Sequence, residues 1–158
     1  MDAMKKMLFL LTFLMVVGIV SAQVTDFSGK WKLNPSKSKL SAELSMAPKE
    51  LVIVQSGNDL SVERHSSWQD REFTISDKFT MDGKECINKG WQDSEKKSTV
   101  AVADDKKSVK VTTVIAMGSN GNMTLTEAYK MDGTNLVVET SASSSFGDRS
   151  ETMVFDKQ

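Results

Sequence analysis

The chain has 158 residues, 20 basic and 21 acidic side chains, 39% hydrophobic and 26% charged residues, which suits one domain with its own core. So balanced a charge gives no electrostatic reason to bind nucleic acid or an anionic membrane surface, and neither is expected as a partner. One Cys (Cys86) and one His (His65) exclude a disulfide framework and a His/Cys metal cluster, so the fold must rest on its core, with no metal and no cofactor expected.

In chain order, Lys5 and Lys6 precede an apolar run from Met7 to Val20, broken only by Thr12 and Gly18, and Val20-Ser21-Ala22 offers a small-residue cleavage site. This predicts a secretory signal peptide over 1–22. The run is shorter than the roughly 20 apolar residues that cross a bilayer, so no stable membrane anchor is expected. Cleavage near Ala22/Gln23 would leave a single domain, 23–158, secreted or periplasmic. Losing Asp2, Lys5 and Lys6 takes the 20 basic and 21 acidic residues to 18 and 20.

From Phe27 onward the pattern is that of short strands. Turn signals recur at Gly57-Asn58-Asp59, Gln69-Asp70, Asp82-Gly83, Asp93-Ser94, Asp104-Asp105, Asn120-Gly121, Asp132-Gly133 and Gly147-Asp148. Asp-Gly favours two-residue hairpins, whose central residues need positive φ. Between turns the period is two: Leu60, Val62 and Arg64 share a face, as do Val109, Val111, Thr113, Ile115 and Met117, and Met123, Leu125, Glu127, Tyr129 and Met131. Ten strands are predicted, at about 27–33, 50–56, 60–67, 71–80, 84–91, 96–103, 108–117, 123–131, 135–144 and 149–156. Short connections make sequence neighbours spatial neighbours, and closure removes the two edges of an open sheet. The expected fold is all-β: an up-and-down antiparallel β-barrel of about ten strands with one short helix or strap after the first strand. A sandwich is the competing architecture. The long segment 34–49 carries Asn34 as a cap, Pro35 at the first helical position, Leu40, Leu44 and Ala47 at helical spacing, and Pro48 as a stop. It is expected to cover one end of the barrel.

Gly29-Lys30-Trp31, flanked by Phe27 and Leu33, resembles the first strand of the lipocalins and fatty-acid-binding proteins, together the calycins. The longer run Phe27 to Lys39, with Asn34-Pro35-Ser36-Lys37-Ser38-Lys39, and the closing Phe155-Asp156-Lys157 resemble small exported bacterial proteins called lipocalin-like. The resemblance implies Trp31 as a plate closing the barrel floor, with Arg149 packed across it. Fatty-acid-binding proteins hold a carboxylate with an Arg-x-Tyr pair on the last strand. Met153 and Phe155 stand at the matching positions, which argues against a headgroup clamped in that way.

The remaining chemistry is sparse. His65 alternates with Val62 and is expected outside, Ser residues form no Gly-x-Ser-x-Gly elbow, and Gly118-Ser119-Asn120-Gly121-Asn122 precedes no helix, so no catalytic constellation and no phosphate cradle is present. Two charges break the apolar faces. Glu127 lies between Leu125 and Tyr129, and Arg64 follows Leu60 and Val62. If both point inward they must be paired, and Glu127 is expected to meet Arg64 or Arg149 inside the barrel. The alternative, a face shifted by a bulge, leaves Glu127 in water. Trp68, Phe79, Trp91 and Tyr129 are candidate walls of a cavity, with Trp31, Arg64, Glu127 and Arg149 completing the candidate ligand-binding set. The expected function is that of an exported, non-enzymatic binding protein for a small hydrophobic or amphipathic ligand. The alternative is a structural or protein-interaction domain whose barrel is filled, the six Met after the leader serving as packing.

Overall fold

The computed structural model describes residues 23–42 and 45–158, without the side chain of Trp91. The expected leader and Leu44 lie outside the described residues. The ten strands are β1 (Gly29–Leu33), β2 (Glu50–Ser56), β3 (Asp59–Trp68), β4 (Arg71–Thr80), β5 (Cys86–Lys89), β6 (Glu95–Val102), β7 (Ser108–Ala116), β8 (Asn122–Asp132), β9 (Asn135–Ser144) and β10 (Gly147–Lys157). They form one antiparallel sheet in the order β4-β3-β2-β1-β10-β9-β8-β7-β6-β5. Strand β1 pairs with β10, Trp31 opposite Lys157 and Leu33 opposite Phe155, and this curls the sheet into a nearly closed barrel. Every strand boundary lies within two residues of the expected one.

The ends of the sheet, β4 and β5, meet without a ladder. Expected as a tight Asp82-Gly83 hairpin, they are joined instead by a wider connection, 81–85. Side chains replace the ladder because β5 stands off. The Asn88 amide accepts from the Lys78 N–H and donates to the Lys78 carbonyl, both at 2.9 Å, and the Cys86 sulfur accepts from the Thr80 N–H at 3.2 Å. Where true two-residue hairpins form, as at Gly57-Asn58 between Ser56 and Asp59, the first turn residue has φ +58, which glycine adopts without cost.

The barrel has two unlike ends. At one, the loops 57–58, 81–85, 103–107 and 133–134 surround a close-packed core of Trp31, Leu51, Ile53, Leu60, Val62, Phe79, Val109, Tyr129, Leu136 and Phe155. Residues before β1 plug this end. Phe27 is buried, its N–H donates to the Gln55 side chain at 3.2 Å, and its carbonyl accepts from the Trp31 indole at 2.9 Å. Gly29 has φ +148, and a Cβ there would lie 3.3 Å from Lys157 Cε and 3.4 Å from the Trp31 indole nitrogen, so the floor requires glycine.

The segment 34–49 is a strap; among its described residues there is no helix. Asn34 does cap a turn, its Oδ1 accepting from the Lys37 N–H at 3.2 Å, but the chain then runs extended, and Lys39 pairs with Thr152 of β10. Five-residue β1 leaves the upper part of β10 without a neighbour, and backbone pairing along that strand outcompetes a helix that would need to cap itself. As far as Ser41 the strap thus extends the wall along β10, and Leu40 and Ala47 pack against the core. The two motifs of the family resemblance meet here. Asp156 accepts from Asn34 at 2.7 Å, from Asn135 at 2.6 Å and from Lys37 at 3.2 Å.

Candidate ligand-binding site

The inner face changes character along its length. Register places Leu60, Val62, Arg64, Ser66 and Trp68 of β3 on that face, opposite Phe79, Asp77, Ile75, Phe73 and Arg71 of β4. On the far wall Tyr129, Glu127 and Leu125 of β8 share it with Val138, Thr140 and Ala142 of β9, and with Met153, Glu151 and Arg149 of β10. The lowest residues are sealed: Leu60 is 3% exposed and Val62 0%. The highest are wet: Trp68 is 48% exposed, Phe73 39% and Ile75 38%. Residues Arg71 to Ser76 are exposed on both faces of β4, so the upper half is a cup, open at the mouth and along the seam beside β4.

A layer of charge separates core from cup. Arg64 donates through Nη1 to Asp77 at 2.9 Å, and through Nη2 to both oxygens of Glu127 at 3.0 and 2.8 Å and to the Tyr129 hydroxyl at 3.1 Å. The Lys96 ammonium lies 2.5 Å from the other oxygen of Asp77. All these charged side chains are nearly inaccessible to solvent, and the adjoining Ser98 and Thr113 hydroxyls satisfy each other at 2.8 Å. Among the described residues no buried side-chain nitrogen or oxygen lacks a partner. Desolvation opposes the Arg64 charge, yet the facing Tyr129 oxygen, Glu127 and Asp77 carry its pKa above the ordinary guanidinium value. Burial, reinforced by Glu127, raises the Tyr129 phenol despite the opposing Arg64, so it is neutral at any physiological pH.

The expected site residues therefore divide. Arg64 and Glu127 meet, as expected. Trp31, Phe79 and Tyr129 are in the packed half, with only the Tyr129 hydroxyl reaching the charged layer. Trp68 lines the cup. Arg149 faces the cup from its rim, opposite Ala142, and not Trp31: the side chain over the indole is Lys157, 5.4 Å from the ring centroid, since β10 ends beside β1 while Arg149 is near its start at the other end of the barrel. Trp91 opens a short 3-10 turn, 91–93, at the mouth, and its side chain lies outside the described residues. Phe73 and Ile75, Asp77 and Lys96 were not anticipated. The alternation Phe73, Ile75, Asp77, Phe79 along β4 carried a signal for the first three; nothing local identified Lys96, which reads as half of a surface Lys pair.

A second concavity of about 500 Å³ lies outside the barrel near the seam. Its walls include Val54, Ser61 and Lys78, which oppose one another in register and alternate with the inward Ile53, Val62 and Asp77. It gathers no buried polar group, and the inner cup is the better site on physical grounds.

No protein-family model matches the chain, and no functionally curated protein matches it. Solved structures do resemble it. A secretory abundant heat soluble protein from Ramazzottius varieornatus superposes with a TM-score of 0.59 at 14% identity, over 87% of this chain and 100% of that one. The zebrafish ileal bile acid-binding protein, complexed with cholic acid, gives 0.55 at 16%, over 84% and 98%. A fatty-acid-binding protein from Echinococcus granulosus gives 0.54 at 12%, over 83% and 96%. Likeness at such identity speaks for architecture alone: the chain has the same up-and-down β-barrel fold as these proteins.

Proposed function

We propose that the chain is an exported, non-enzymatic carrier that takes a small hydrophobic or amphipathic ligand into the cup. One observation carries this: Trp68, Phe73 and Ile75 lie on the inner face and remain wet, above a layer of charge that stops the core from filling the rest of the barrel. A ligand that covered them would gain roughly 25 cal/mol per Å² of apolar surface removed from water. The mechanism is sequestration, with Arg64 and Glu127 fixing the floor, Trp68 the wall and Arg149 the rim. The lipid-binding proteins that share the architecture support the reading by analogy. Among the described residues the only contact suggestive of a catalytic relay is on the outer face, where His65 Nε2 is 2.7 Å from Glu63 and Nδ1 3.2 Å from the Thr74 hydroxyl. These residues stand on an exposed strand pair with no enclosed substrate position, so the non-enzymatic reading is favoured.

Native mass spectrometry and uptake of an apolar fluorescent dye test the proposal. The expected result is a bound species or saturable dye uptake, with Trp68→Ala weakening dye affinity about tenfold. No bound species and no uptake would refute it. Export is tested by the intact mass of the released protein, expected to begin at Gln23.

The packed lower half favours a second reading, a structural or protein-interaction domain, because Phe27, Trp31, Tyr129, Met153 and Phe155 are buried together there. The same dye experiment separates the two.

A further inference from the structure

The cations at the floor of the cup are already matched by the protein's own carboxylates. We infer that the ligand is an uncharged long-chain molecule, an alcohol, ester or amide, and not a free carboxylic acid. The inference rests on the carrier reading and specifies its ligand.

Two bases and two acids make up the charged layer, and their geometry leaves no cation to spare. Arg64 Nη2 is shared between both Glu127 oxygens, at 3.0 and 2.8 Å, and Nη1 is held by Asp77 at 2.9 Å. The other Asp77 oxygen takes Lys96. Glu127 therefore stands where an incoming carboxylate would have to stand. It is tethered to the chain and loses no translational freedom in binding Arg64, whereas a free acid must displace it from solution. A carboxylate that entered without displacing it would face Glu127 and Asp77 as like charges in a region shielded from water.

The rim does not reverse this preference. Arg149 and Arg71 face the cup, but both are exposed, and an ion pair formed there in water adds little affinity. Neutral polar groups are better served. Ser66, two residues beyond Arg64 on β3 and so just above the charged layer, and Thr140, beside Glu127 on β9, stand on the inner face, half-buried. Their hydroxyls donate and accept, as a ligand hydroxyl or carbonyl requires.

The test compares hexadecan-1-ol with palmitate, which has the same chain length, as displacers of a neutral dye from the intact protein. The expected result is that the alcohol displaces the dye at about a tenth of the palmitate concentration or less. In Glu127→Gln, Arg64 is released from one carboxylate, and the ratio of palmitate to alcohol affinity rises about tenfold. Asp77→Asn, which releases the other Arg64 nitrogen, shifts the ratio the same way and serves if the first variant does not fold; the wild-type comparison decides if neither does. Palmitate binding as tightly as the alcohol, or more tightly, overturns the inference and leaves the carrier reading standing. Dye uptake without displacement by either compound also overturns it. Failure of the dye itself to bind removes both.

Discussion

Removing the Arg64 guanidinium would leave Glu127 and Asp77 facing one another with only Lys96 to neutralise them. An uncompensated buried charge costs about 3–5 kcal/mol, and Arg64→Leu is expected to lower the unfolding free energy by that amount in urea titration. Tyr129 adds a pH dependence with a definite sign. Its phenol is raised from the ordinary value of 10.0 by burial first and Glu127 second, so the folded protein keeps a proton that the unfolded chain releases. The associated stability is complete below pH 10 and declines as the pH climbs above it. Tyr129→Phe should flatten that alkaline decline in thermal melts between about pH 9 and 11. Glu127 and Arg64 were legible in the sequence because each interrupts an apolar face. Lys96, which joins the layer through Asp77, was not, because it shares its strand with Lys97 and its meeting with Asp77, across the seam, is a product of closure.

Strands and hairpins were the most legible elements, since a two-residue repeat and turn residues are local properties. The strap was not. Asn34, Pro35 and the spacing of Leu40 and Ala47 fit a helix start, but they are silent about the vacant stretch of β10 that competes for the same backbone groups. The Asn34-to-Lys39 motif instead ties the strap to the end of the chain. Hydrogen bonds from Asn34, Lys37 and Asn135 hold the Asp156 carboxyl below its usual range. Asp156→Ala should free the strap, raising hydrogen exchange at Lys39 and Ser41 several-fold, while the pairing of β10 with β9 persists. The Gln69-Asp70 turn offers a further test. Both residues have positive φ, 47 and 60, between the paired Trp68 and Arg71, and no glycine relieves them. Asp70→Gly should stabilise the hairpin by about 1 kcal/mol, readable as a shift of the urea midpoint.

At the scale of the whole molecule, stability and the proposed binding belong to different halves. The half that holds Trp31, Val62, Val109 and Phe155 should show the slowest amide exchange, and Arg71 to Ser76 some of the fastest. The closed architecture followed from turn spacing and the single long connection. The division into a solid end and a wet end did not, because it depends on which charges face each other across the lumen.

The bare margin of β4 has a colloidal consequence. Above Lys78, whose main-chain groups are taken by Asn88, the same edge of Ser76, Thr74 and Glu72 is exposed and finds no strand partner among the described residues, beside the uncovered Phe73 and Ile75. Such a margin is a template on which a second chain could add a strand and begin a fibril. The charges of Arg71, Glu72 and Lys78 act as gatekeepers against that fate. Shelf life in concentrated solution thus depends on a handful of side chains that contribute little to the fold itself.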